Sequence, residues 1–265
     1  MKTRSKIGLL GALFGFHLAL ATPVAAAAKC PSDAVRVGPV CVDKFEASVW
    51  DLSTVPANKK SNLIKKIKAG TATEVALLAA GAVQRGVSSD DYPCGDDGND
   101  CDEIFAVSIS GVTPSHFITW SQAQQAAMSS GKRLLTNAEW QGAAAGTPDP
   151  GTDNGTTDCN ISAAGAVVDT GSRSNCVSRF GVFDMVGNLF EWVADWVPTP
   201  SGTCATALFD ADINCFSGTT QAAGAVALIR GGFFGSGTDA GVFAVIGGSL
   251  TSAGSSSIGG FRAAR

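Results

Sequence analysis

Apolar and polar positions alternate from Val35 to Trp50, the two-residue period of β-strands. The next stretch changes period. Between Leu52 and Arg85, Leu63, Ile64 and Ile67 recur at helical spacing among Lys59, Lys60, Lys65, Lys66 and Lys68. That spacing predicts an amphipathic helix stopped at Gly70, with a second short helix over Thr73–Ala82 ending near Gly81. A basic helix of this kind can touch an anionic surface, but a solvated lysine face is the simpler reading. Thr119 to Gly131 reads as a helix with Ser121 and Gln124 as its capping box and Gly131 as its left-handed stop. Thr136 and Glu139 make a second box that opens Asn137–Ala145, and Gly146 closes it. Beyond Gly146 the chain is dense in Gly, Asp, Thr and Pro through Asn160, a loop signal. Short apolar runs follow at Phe180–Met185, Leu189–Trp196 and Ala225–Ile229. Few regular elements set among long loops predict a loop-rich α+β fold.

The N-terminus changes the picture. Lys2, Arg4 and Lys6 precede an apolar run from Ile7 to Leu20, and Ala25–Ala28 offer A-x-A cleavage points. This is the layout of a secretory signal peptide over residues 1–28. The run is shorter than the roughly 20 apolar residues needed to span a bilayer, and it carries His17. No membrane-length apolar run follows Ala28, so no membrane span is expected after cleavage. Residues 29–265 then suit a single exported domain, periplasmic or extracellular.

Cleavage would move the formal charge from −4 to −7 by removing three basic residues. Nucleic acid is excluded as an expected partner, because phosphate binding needs clustered Lys and Arg. The eight cysteines pair by proximity as Cys30 with Cys41, Cys94 with Cys101, Cys159 with Cys176, and Cys204 with Cys215. Eight cysteines allow 105 connectivities. Clustering by twos in an exported chain favours these four local bridges over zinc, since no C-x-x-C occurs and His116 is the one histidine after His17. That histidine, beside Pro114, reads as a structural or surface residue, and no G-x-S-x-G, P-loop or dinucleotide motif is present. The loop Cys94–Glu103 is crowded with carboxylates but lacks the EF-hand order, so a solvated acidic turn is the stronger reading.

Three stretches then resemble one family. They are GKRLLTNAEW from Gly131 to Trp140, FDMVGNLFEW from Phe183 to Trp192, and a C-terminal part with Arg230-Gly231-Gly232 and Gly260-Phe261-Arg262. In this order they resemble the formylglycine-generating-enzyme (sulfatase-modifying factor) family, and Asp43–Glu46 looks like its opening strand. The resemblance implies a C-type-lectin-like fold, α+β and disulfide-stapled here. It also implies oxidation of a substrate cysteine at a copper ion held by two thiolates. In this chain Ser236 and Gly241 fall near the thiolate positions, and no cysteine follows Cys215. A hydroxyl does not replace a soft sulfur ligand, so no copper is expected. The family's calcium site maps onto Asp184, the carbonyls of Gly187 and Leu189, and Glu191, which makes structural calcium an expectation. A second family site would involve Asn160 and Ile161.

The tail from Ala222 to Arg265 contains no Asn, Lys, Glu, Gln, Met or Trp. The last five cannot be reached from an AAC or AAT codon through changes at its first two bases, whereas Phe, Gly, Ser, Thr, Asp, Ile, Val and Ala can. In this respect residues 230–265 resemble the variable region of proteins diversified by retroelements, which use the same lectin-like fold. A glycine-rich segment of biased composition would also lack those residues. On the resemblance, Arg230, Gly231, Gly232, Phe261 and Arg262 are scaffold, while Phe233, Phe234, Ser236, Thr238, Asp239, Ile246 and Ser249 face a ligand. The resulting expectation is a non-catalytic ligand-binding protein whose partner is a protein or surface ligand. The alternative is a formylglycine-generating oxidase or a related enzyme of the family.

Overall fold

The computed structural model describes residues 29–149, 151–197, 226–247 and 256–265, together with the backbone of 215–217. The signal-peptide segment, Cys204 and Ser249 lie outside the described residues. The alternating stretch near the start makes three strands: β1 (Ala34–Val37), β2 (Val40–Asp43) and β3 (Ala47–Asp51). A tight turn with Gly38 at φ +57° separates the first two. Lys44–Glu46 lie between β2 and β3 rather than within a strand, a correction to the sequence reading. The cause is Glu46, whose carboxylate turns inward to accept from Asn188 Nδ2 and from the Leu189 amide.

The helix α1 (Ala57–Lys68) and the helix α2 (Glu74–Ala80) occupy the expected places. Thr73 caps α2 by accepting from the Ala76 amide, and Gly81 ends it at φ +91°. On α1, Leu63 and Ile67 are buried while Lys59, Lys65, Lys66 and Lys68 are exposed, so the lysine face is solvated. The strands β4 (Val83–Arg85) and β5 (Ile104–Ser108) flank β3 in a three-stranded antiparallel sheet. The helix α3 (Trp120–Ser129) begins earlier than Ser121 and Gln124 imply. Its box is Thr119 with Gln122, whose side chain accepts from the Thr119 amide at 3.0 Å. Trp120 fixes this start, because its Nε1 donates to the carbonyl of Val193 at 2.8 Å. After β6 (Arg133–Leu134), the helix α4 (Asn137–Ala144) opens on the Thr136–Glu139 box as read.

Two further sheets complete the fold. One has the order β1-β2-β12-β6, with β12 at Ala263–Ala264. The other has the order β11-β7-β9-β10-β8, formed by β7 (Phe190–Val197), β8 (Cys215–Ser217), β9 (Val226–Arg230), β10 (Val245–Gly247) and β11 (Gly259–Phe261). The last residues thus join both sheets, and β12 pairs with β2 near the start of the fold. The main core packs Trp192, Ile229, Ile246 and Phe261 against Ala126 and Ala127 of α3.

The bridges Cys30–Cys41, Cys94–Cys101 and Cys159–Cys176 are formed. The pairing of Cys204 with Cys215 falls outside the described side chains. Each closed loop contributes roughly 2–3 kcal/mol in the chain-entropy model. Disulfides of this density fit a chain that matures in an oxidising compartment outside the cytoplasm. Among the described residues, no helix is long and apolar enough to cross a membrane.

Candidate functional site

Two neighbouring features occupy the positions singled out in the sequence: a buried charge network under the Gly187–Glu191 turn, and the loop between β9 and β10. The turn is forced by backbone conformation. Gly187 sits at φ +75°, and a Cβ there would lie 2.3 Å from the Asn160 carbonyl oxygen, so only glycine fits. The chain then enters β7 with Glu191 pointing inward, 1% exposed. Trp140 Nε1 donates to Glu191 Oε2 at 2.7 Å, and Arg262 Nε lies 2.8 and 2.9 Å from the two carboxylate oxygens. The Arg262 guanidinium also donates to the carbonyl of Phe183 at 2.8 Å and, at longer range, to that of Lys44.

Two more buried carboxylates share this cation. Burial pushes Asp184 up to about 6, the Arg262 charge opposing the shift, and the Gly171 amide donates to Asp184 Oδ2 at 2.7 Å. Burial, reinforced by the charges of Asp184 and Glu191, raises Glu46 well above the usual carboxylate range. Asn188 links the layers by donating to Glu46 and accepting from Asn160 Nδ2 at 3.0 Å. Glu46, Asn188 and Trp140 are site residues that the sequence reading missed. Their signal lies in the same motifs, DKFE, VGN and NAEW, whose local patterns predict strand, turn and helix start.

The carboxylate expected to hold calcium is engaged by a protein cation. Both oxygens of Glu191 face a guanidinium that a cation would have to displace, and like charges repel. Among the described residues, no group of three or more His, Cys, Asp or Glu side chains is arranged to hold a metal ion. Of the four expected calcium residues, Asp184 and Glu191 thus belong to the Arg262 charge network, while Gly187 and Leu189 join it through the turn, their amides donating to the Gly231 carbonyl and to Glu46 Oε1. At the second family position, the Asn160 carbonyl accepts from the Asn188 amide and the Ile161 carbonyl from the Gly237 amide. The Oδ1 of Asn160 is buried without a hydrogen-bond partner among the described residues.

The β9–β10 loop is clamped at its base. The Arg230 guanidinium lies 4.5 Å over the Trp140 ring, bonds Gln141 Oε1, and donates to the carbonyls of Val242 and Phe243. Gly231 and Gly232 follow at φ +89° and +85°. A Cβ on Gly232 would approach Ala240 to 2.6 Å, so this glycine permits the close return of the loop. From there Phe233–Ser236 form a turn in which the Ser236 hydroxyl accepts from the Phe233 amide at 3.0 Å. A single 3-10 turn over Gly237–Asp239 leads back toward β10. Thr238 is exposed, and Phe234, Ser236 and Asp239 are half-buried. Phe233 is also half-buried and packs on Phe190, with ring centroids 5.3 Å apart. Partial burial raises the Asp239 carboxyl above its ordinary value.

The structure thus gathers Phe233, Phe234, Ser236, Thr238 and Asp239 on one loop. It removes Ile246 from that set, because Ile246 lies on β10 opposite Ile229 and is buried in the main core. The reason is its strand, which sits inside the sheet between β9 and β8. Ser249 falls outside the described residues. Ser236, near an expected thiolate position, holds its own turn through its oxygen, and Gly241 has no side chain. These atoms do not fit copper(I), which selects sulfur. The six cysteines whose side chains are described are all in bridges.

The family model of the sulfatase-modifying factor enzyme 1-like domain matches residues 94–265. A formylglycine-generating enzyme from Thermomonospora curvata is 33% identical over 104 residues, which cover 31% of this chain and 34% of that enzyme. The matched part is thus about a third of that relative's length. Among solved structures, the Major Tropism Determinant P3c variant covers 89% of this chain and 52% of its own at 19% identity and a TM-score of 0.46. PvdO from Pseudomonas aeruginosa covers 85% of this chain and 80% of its own at 17% identity and a TM-score of 0.39. The α+β, loop-rich and disulfide-bridged architecture is the C-type-lectin-like form that the sequence motifs imply. With most of its length matched to that model, the chain belongs to the sulfatase-modifying factor enzyme 1-like family.

Proposed function

We propose that this chain is an exported, non-catalytic ligand-binding protein whose β9–β10 loop forms part of the binding face. The observation that carries the reading is the contrast between the loop and its base. Arg230, Gly231, Gly232, Phe261 and Arg262 are buried, whereas Thr238 is exposed and Phe234 and Asp239 are half-exposed. A clamped base with a free rim lets rim residues change without loss of the fold, since exposed substitutions usually cost within about 0.5 kcal/mol. The two phenylalanines beside small polar residues provide apolar anchors with adaptable hydrogen bonding, as in antibody paratopes. The composition of residues 222–265 supports diversification of this face by adenine-directed mutagenesis. The partner is a protein or surface ligand, and the acidic balance speaks against nucleic acid.

The second reading is a formylglycine-generating oxidase, favoured by the curated relative. Two soft ligands are needed to hold copper(I), and the loop offers Ser236 and Gly241 in their place. The deciding assay is oxidation of a cysteine-containing sulfatase-type peptide by the purified protein with and without added copper. No turnover is expected in either condition. Copper-dependent formation of the aldehyde would overturn the binding reading in favour of the oxidase.

A further inference from the structure

Beside the β9–β10 loop is a cavity of about 240 Å³ lined by Val87, Thr113, His116, Val167, Phe234 and Ser257, among others. It is smaller than the roughly 300–1,000 Å³ of sites for drug-sized ligands, so it suits a group the size of one side chain. His116 is firmly set. Its amide donates to the Gly86 carbonyl at 2.7 Å, its carbonyl accepts from the Tyr92 hydroxyl, and its ring packs on Phe117 at 4.7 Å.

The chemistry of the cavity follows from two committed protons. His116 Nδ1 lies 3.1 Å from the Pro114 carbonyl oxygen. A carbonyl can only accept, so Nδ1 carries the proton. Burial lowers the His116 pKa, which keeps the ring neutral at neutral pH. Nε2 is then a lone-pair acceptor, and no described residue hydrogen-bonds it. Across the cavity, the Thr113 hydroxyl donates its one proton to Asp169 Oδ1 at 2.8 Å, leaving its lone pairs for any ligand. That contact also places a carboxylate directly behind Thr113. His116 Nε2 and Thr113 Oγ1 are thus acceptors, the Ser257 hydroxyl can accept as well as donate, Phe234 offers an aromatic ring, and Val87 and Val167 offer apolar walls.

From these features we infer that the cavity binds a primary ammonium group on an alkyl stem, the ammonium donating to His116 Nε2 and Thr113 Oγ1. An ammonium has three donors and no acceptor, which matches a lining of acceptors. The Phe234 ring adds cation–π attraction, and the acidic chain favours a cation. The same chemistry is supplied by a lysine side chain of a partner protein or by a free alkylamine. The inference rests on the proposed binding role through Phe234, whereas the His116 and Thr113 chemistry is independent of the loop.

The chain has two histidines, His17 and His116, so imidazole nitrogen NMR gives a direct readout once the His116→Phe variant assigns the signals. At pH 7.5, the Nε2 signal should be that of an unprotonated nitrogen and should move saturably with n-butylammonium. n-Butanol should bind at least tenfold more weakly, and Thr113→Val should weaken the amine by about tenfold, in line with one lost charge-assisted hydrogen bond. Nα-acetyl-lysine methylamide shifting the same signal would identify a peptide side chain as an accepted source. A response to n-butylammonium alone would identify the free amine. A protonated Nε2, equal binding of n-butanol, or a His116 response to the amine unchanged in Thr113→Val would overturn the inference. Loss of the His116 response while loop substitutions still alter partner binding would refute this inference alone. The reverse result would refute only the loop reading.

Discussion

Replacing Arg262 with Met keeps most of the buried stem and removes the guanidinium whose charge Glu46, Asp184 and Glu191 share. In the native protein it forks the Glu191 carboxylate at 2.8 and 2.9 Å and donates to the Phe183 carbonyl at 2.8 Å, in a position 1% exposed. Its loss leaves Glu191 with Trp140 as side-chain partner and removes an opposing charge from Asp184 and Glu46, which keep their bonds to the Gly171 amide and to Asn188 and Leu189. Breaking a buried pair from one side costs about 3–5 kcal/mol. Against a total stability of about 5–15 kcal/mol, that is a large fraction. The double variant Arg262→Met/Glu191→Leu removes both charges and strands chiefly the Trp140 N–H, a cost of about 1–3 kcal/mol. The double variant should therefore be more stable than Arg262→Met alone. Urea unfolding midpoints read this directly, with unchanged m values confirming that the unfolded state is the same. The loss should also be equal in calcium and in chelator, because Arg262 holds the carboxylate that a calcium ion would need. A cost below about 1 kcal/mol for Arg262→Met, or additive losses in the cycle, would refute the network argument.

Raised carboxyl pKa values make the protein more stable in mild acid. Burial lifts Asp43 and Asp184 to about 6 and Glu46 well above its ordinary value. The folded state therefore holds protons that the unfolded chain, with carboxyl pKa values of about 4, has released. That stabilisation is complete below the unfolded values and is lost as pH rises through about 6; the three carboxyls outweigh the opposite effect of the lowered His116, so the urea midpoint should fall between pH 5 and pH 7.5. A midpoint that rises over this range would contradict the burial account. Gly232→Ala should cost about 1–3 kcal/mol from its positive φ, and more from the approach to Ala240, seen as a lower melting temperature. An unchanged melting temperature would mean that the loop base is not tightly closed.

Much of the local architecture was legible because its causes are local. The Thr136–Glu139 box, the stops at Gly81 and Gly131, and the cysteine pairs seven to seventeen residues apart depend on neighbours in sequence. Features that depend on distant partners were not legible. The bond of Glu191 to Arg262, 71 residues away, has no signal in the sequence around Glu191. Glu46 reads as part of a strand until Asn188 and Leu189 draw it into the core. Ile246 has the residue type expected of a diversified position, but its place between two strands makes it core. The shift from Ser121 to Thr119 as cap has the same origin, since the Trp120 bond to Val193 sets where α3 begins.

The central claim is that the β9–β10 loop is a replaceable binding surface on a fixed base. Its most direct test is a displayed library of the full chain, randomised at Phe234, Thr238 and Asp239 and sorted first for protease resistance. The survivors are then selected against an unrelated protein target. Most members should remain folded, and target-specific binders should emerge whose melting temperatures stay within a few degrees of the parent. A library in which few members resist protease would make the loop part of the core and would contradict the claim.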